Sequence, residues 1–204
     1  MHPNSKLLFR EYAKPYFAKA GRVLEIGPDK PQSTYQVEVG RTDVIWETLD
    51  LYIRQDSSLT YQARNEYEYP IADNQFDIVF AAQVAEHVKK IWVWVKELAR
   101  VCKPGGQVII INPVSWPYHE APVDCWRIYP EGMKALYEDA GLRVIESHCE
   151  SLHLDQSLRN YKYLVPGISF RTTGLSPVKL LVKRMLKIPI IHTLDTITIG
   201  VKEK

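Results

Sequence analysis

Cysteine is scarce in this chain of 204 residues, and Cys102, Cys125 and Cys149 are odd in number with no CxxC pair among them. That excludes a disulfide framework and a thiolate zinc site, and it leaves three reduced thiols as expected of a cytosolic protein. An excess of one charge is missing as well. The 26 basic and 24 acidic residues leave a formal charge of +2, without the basic stripe of a nucleic-acid binder, so no nucleic-acid partner is expected. No apolar run reaches transmembrane length, and "MHPNSKLLFREYAKPYFAKAG" lacks the apolar centre of a signal peptide. The expectation is a soluble, cytoplasmic protein, attached at most to the inner face of a membrane. Glycine is thin where it matters. After the apolar strand "RVLEI", a lone Gly27 is followed by Pro28, Asp29 and Lys30. A dinucleotide-binding turn would carry two further glycines there, because pyrophosphate must approach bare backbone.

What is present is an alternation of strands and helices. Apolar residues recur at helical spacing from Ser5 to about Ala20, with Gly21 as a stop. Strands are expected at "RVLEIG", "DVIWETLDLY", "FDIVFAA", "QVIIIN" and "LRVIES", with a last, antiparallel one in "HTLDTITIGVKE". Helices are expected over Val88 to Lys103, before a "KPGG" turn, and over Pro130 to Gly141. This order predicts a mostly parallel sheet covered on both faces, in one domain over 1–204. Within it, 1–21 form an N-terminal helix, 22–150 the ligand-binding core, 151–192 an insertion and 193–204 the terminal strand. The insertion contains a basic amphipathic helix, Ser176 to Ile188, with Val178, Leu181, Val182 and Met185 opposing Lys179, Lys183, Arg184 and Lys187. An ordinary solvated helix, a lid, a membrane-surface contact and a homodimer contact all fit that pattern.

A ligand without phosphates relaxes the demand for glycines. It still needs one small residue after the first strand, which Gly27 supplies. If it carries a ribose, it also needs a carboxylate at the end of the second strand, where Asp50 stands. The pair describes an adenosine compound lacking pyrophosphate.

The series "VLEIGPDK", "LDLY", "YPIADNQFDIVFAAQVAEHV" and "ELARVCKPGGQVIIINP", in that order, resembles class I S-adenosylmethionine-dependent methyltransferases from Arg22 to about Ser147. The run "YHEAPVDCWRIYPEGM" is similar to that of small bacterial members often associated with glycan pathways. The resemblance implies a Rossmann-like, doubly wound, seven-stranded α/β sheet with an antiparallel last strand. It also implies S-adenosylmethionine as cofactor and S-adenosylhomocysteine as product. Glu25, Gly27 and Pro28 would line the methionine end, Asp50 would hold the ribose and Leu51 would pack on the adenine. Asn65 would meet the adenine amino group, where relatives usually carry Asp, and Ala82 and Gln83 would border the sulfonium. Pro28 departs from the usual glycine, and no helix is evident in "DKPQSTYQVEVGRTD" after the first strand.

Methyl transfer to a hydroxyl requires a proton to leave, and histidine suits that task near neutral pH. His87 in "AEHV" and His119 in "PYHEAPVD" both follow strands on the ligand rim. Some quinone-pathway methyltransferases hold a cation with a Glu, Glu, His set. The corresponding residues here are Gln83, Glu86 and His87, and glutamine lacks the first charge, so no metal is expected. Tyr118, Asp124, Trp126 and Arg127 suit a sugar or another small polyhydroxylated acceptor. Asp124 and Arg127, three apart, can equally pair with each other and brace the loop. The leading reading is methyl transfer to an oxygen of a small molecule or glycan. A cofactor-binding scaffold without catalysis, recruited by its basic helix, is the alternative.

Overall fold

The computed structural model describes residues 3–52, 59–120, 122–152, 168–170 and 194–203. The helix expected at the N-terminus is present as three successive helical forms: α1 (Pro3–Leu8), a π-helical stretch (Phe9–Ala13) and a 3-10 stretch (Lys14–Lys19). Pro15 explains the change, because it lacks an N–H and its ring clashes with the preceding turn of a regular helix.

The strands are β1 (Arg22–Ile26), β2 (Ile45–Asp50), β3 (Tyr61–Gln62), β4 (Phe76–Ala82), β5 (Cys102–Ser115), β6 (Leu142–Ser151), β7 (Ile168–Phe170) and β8 (Leu194–Lys202). Their order in the sheet is β3-β2-β1-β4-β5-β8-β6-β7. Among the described strands only β8 is antiparallel to its neighbours, as expected of the last strand. The short β7 lies within the segment expected to be an insertion, and it adds an eighth strand at the edge. The basic stretch from Ser176 to Ile188 lies outside the described residues. No helix among the described residues is long and apolar enough to cross a membrane.

Both faces of the sheet are buried, which is why its central strands are apolar at nearly every position. Leu24, Val79 and Ala81 face one side with Trp94, Val95 and Leu98 of α3 (Ile91–Val101) and Tyr137 of α4 (Pro130–Asp139). Val23, Ile78, Phe80 and Ile109 face the other with Phe9, Phe17 and Tyr35. The "KPGG" turn is a correction: Lys103 to Gly106 lie within β5 as an irregularity, with Cys102 opposite Phe76 and Gln107 opposite Ile78.

A second correction concerns the helix after β1. It exists as α2 (Thr34–Val39), only six residues long. Ser33 caps it by accepting from the Gln36 N–H at 3.0 Å, and Gly40 ends it in the left-handed conformation at φ 67°. Asp29 accepts from both the Thr34 N–H and its hydroxyl, at 2.9 and 2.8 Å. The loop after β1 is therefore held by side chains rather than by a run of glycines. Since β1 lies between β2 and β4, the chain reverses direction across the sheet there, which is where open α/β folds bind ligands.

Candidate active site

At that reversal a cavity of about 270 Å³ opens at the C-terminal ends of the strands. Ile26 and Gly27 at the end of β1, Leu49, Asp50 and Leu51 at the end of β2, and Gln83, Val84 and His87 after β4 form its wall. Gly27 has φ +66°, and a Cβ there would meet the Val84 Cγ2 at 2.7 Å, so only glycine leaves this passage open. The Asp50 carboxylate accepts from the N–H of Leu51 at 2.7 Å, which fixes the turn and holds the acid at the cavity.

Other residues implied by the resemblance stand elsewhere. Glu25 is buried behind the loop, where it accepts from the Trp46 indole at 2.8 Å and is also hydrogen-bonded by Ser33. Burial pushes its carboxyl up to about 7. Pro28 is buried, and neither it, Ala82 nor Asn65 lies in the cavity wall. The Asn65 side-chain oxygen is occupied by the Tyr67 N–H at 2.8 Å, and the neighbouring Glu66 reaches the cavity instead. Tyr52, Tyr69, Val88, Trp94 and Pro122 complete the lining and escape a reading by motif.

Gln83 adopts φ +58°, rare for a residue with a side chain. Its amide donates to the Ser5 hydroxyl at 2.6 Å and to Asp195 at 3.1 Å, tying the N-terminal helix and β8 to the cavity wall. Its Oε1 is buried without a hydrogen-bond partner among the described residues. An orphaned acceptor beside a glycine passage and a carboxylate fits S-adenosylmethionine, which brings an ammonium, a slender chain and a ribose diol.

His87 sits at the end of a single 3-10 turn (Ala85–His87) after β4. Its Nδ1 lies 2.5 Å from the Val123 carbonyl. A carbonyl only accepts, so Nδ1 carries the proton and a neutral ring has its lone pair on Nε2. His119 approaches from the loop after β5, and its Nδ1 is 3.4 Å from Asp124. Asp124 is gripped on both oxygens by Arg127, at 2.5 and 2.6 Å, and also accepts from the His119 N–H at 2.8 Å. Arg127 lowers the Asp124 carboxyl well below the usual carboxylate range. Remaining donors of Arg127 go to the carbonyls of Trp116, Pro117 and Trp126. Asp124 and Arg127 thus brace the loop that carries His119. The Trp126 indole donates to the Val88 carbonyl at 2.8 Å, whereas Tyr118 is 71% exposed and donates to Glu120 at 2.7 Å.

Glu86 is the residue that motif reading undervalued. It is 1% exposed, no donor among the described residues other than its own backbone N–H meets its carboxylate, and burial pushes it up to about 8. The adjacent "EH" letters named it, but only folding shows that it points inward.

A family model described as a methyltransferase domain matches residues 32–110. The chain is 33% identical over 100 residues to an uncharacterised methyltransferase of Mycobacteroides abscessus, covering 48% of this chain and 34% of that one. It is 30% identical over 95 residues to the chloroplastic tocopherol O-methyltransferase of Arabidopsis thaliana, covering 47% and 24%. The matches therefore span about a third of the first relative's length and a quarter of the second's. A SAM-dependent methyltransferase from Archaeoglobus fulgidus shares the fold at a TM-score of 0.62 with 18% identity, over 97% of this chain and 92% of that one. Residues 32–110 thus match a methyltransferase domain, and the fold of the whole chain, with its cavity at the ends of β1, β2 and β4, is similar to that of S-adenosylmethionine-dependent methyltransferases.

Proposed function

We propose that the protein transfers a methyl group from S-adenosylmethionine to an oxygen of a small-molecule or glycan acceptor. The observation that carries this reading is the position of His87, which shares one cavity with Gly27 and Asp50 and has the His119 ring beside it. The cofactor supplies an activated methyl on a sulfonium. Asp50 accepts from the ribose hydroxyls, Leu51 and Val88 cover the adenine, and Gln83 receives the amino group through Oε1. The apolar wall of Ile26, Leu49 and Trp94 excludes water from one side.

Transfer then depends mainly on holding the acceptor in line with the methyl group. A hydroxyl must also lose its proton, and the cluster of Glu86, His87 and His119 is the place where it leaves. Exposed Tyr118 and half-buried Trp126 offer aromatic surface to a sugar, while Asp124 and Arg127 hold the loop in register. The test is transfer of labelled methyl to sugars, sugar phosphates and matched amines. Labelled hydroxyl products, reduced at least ~100-fold in His87→Ala, are expected. Methylation of amines alone would contradict the oxygen assignment.

A further inference from the structure

We infer that Glu86, His87 and His119 bind one divalent first-row transition ion, of the Zn²⁺, Mn²⁺ or Co²⁺ kind, beside the cavity, whose wall the cluster reaches through His87. Each residue offers one ligand atom, and the three atoms all lie within 4.8 Å of one another. The His87 Nε2 is 3.7 Å from the Glu86 Oε1.

Three features separate this cluster from a chance gathering. Glu86 is buried, and among the described residues no donor other than its own backbone N–H meets its carboxylate. A buried carboxylate is costly unless a cation or hydrogen bond meets it, and Arg127, the nearby basic group, is spent on Asp124. The second feature is the His87 tether: ligating histidines characteristically donate their other N–H to a backbone carbonyl or a carboxylate, and Val123 fills that place. Third, the His119 Nδ1 is buried without a hydrogen-bond partner among the described residues, 3.4 Å from Asp124, which holds the His119 backbone N–H and is itself fixed by Arg127. The ligand atoms need to draw together by roughly 1 Å to meet a common ion. Gln83, the first residue of the set for which no metal was expected, turns its amide toward Ser5 and Asp195, and His119 joins Glu86 and His87 in its stead.

Two neutral imidazoles and one carboxylate favour a borderline transition ion over Mg²⁺ or Ca²⁺, which prefer oxygen ligands. Three protein ligands also leave a position open for the acceptor. An acceptor hydroxyl bound there loses its proton to water more readily. The resulting alkoxide forms a C–O bond to the methyl carbon as the C–S bond breaks, and the bonding pair stays on sulfur as a neutral thioether. The histidines then act on the acceptor's proton through the ion. This use of the ion rests on the function proposed above, whereas its binding does not.

The test strips the full chain with a chelator and titrates it with Co²⁺, Zn²⁺ and Mg²⁺, following heat and the visible d–d absorption of Co²⁺. One Co²⁺ or Zn²⁺ per chain is expected, with affinity at least ~100-fold weaker in Glu86→Gln and in His119→Gln, and no comparable Mg²⁺ binding. Circular dichroism checks that the variants fold, and the wild-type Co²⁺ spectrum decides alone if they do not. Absence of ion binding by wild type, or binding unchanged in both folded variants, would overturn the site. S-adenosylhomocysteine is titrated into the same samples. Its binding without an ion leaves the methyltransferase reading intact, and the reverse result separates the two failures.

Discussion

The rings of His87 and His119 meet edge to face, 5.0 Å between centroids, although one follows β4 and the other follows β5. Their meeting joins the cofactor-facing wall to the loop that Asp124 and Arg127 brace. Replacing either histidine by alanine is expected to lower methyl transfer at least ~100-fold. Affinity for S-adenosylhomocysteine should stay within about threefold, because neither ring holds the ribose. Paired kinetics and calorimetry check this, and full activity in both variants would remove the histidines from the chemistry.

Gly27 and Val84 form a steric pair. Gly27→Ala places a Cβ 2.7 Å from the Val84 Cγ2 at a φ of +66°, so a loss of about 1–3 kcal/mol in folding stability is expected. Adding Val84→Ala relieves the clash but not the backbone cost. A double-mutant cycle by urea denaturation should therefore show partial rescue, and strict additivity would refute the contact.

Glu25 sets a pH dependence of stability. Its carboxyl is raised from 4.5 to about 7, first by burial, with Asp29 adding to the rise while the bonds from Ser33 and Trp46 oppose it. Below the ordinary value both folded and unfolded chains hold the proton. Between there and about 7 the unfolded chain releases it first, so stability falls across that window by about 2–4 kcal/mol and then levels off. Glu25→Gln should remove this part of the slope, since glutamine can still accept from Trp46. Urea midpoints measured from pH 5 to 8 give the answer, and an unchanged slope in the variant would contradict it.

Much of this was legible in the chain because the apolar runs of β1, β4 and β5 are continuous, as a sheet buried on both faces requires. Gly27 and Asp50 were legible for a similar reason: each ends a strand, and strand ends carry the site in this architecture. What escaped depended on contacts distant in sequence. The six-residue α2 has too few positions to show a period, and its signal was instead the cap formed by Ser33 with Gln36 three residues on. The retreat of Asn65 from the cavity follows from a local turn to Tyr67. The cluster of Glu86, His87 and His119 forms only because the Asp124 to Arg127 brace folds one loop back against another.

The central claim is that the cavity around Gly27 and Asp50 holds S-adenosylmethionine. Calorimetric titration of the purified protein with S-adenosylhomocysteine tests it most directly, with NAD as control and Asp50→Ala as the variant. One-to-one binding, absent with NAD and weakened at least ~10-fold by the variant, is predicted from the loss of charge-assisted bonds to the ribose. Absence of binding, or binding indifferent to Asp50, would contradict it.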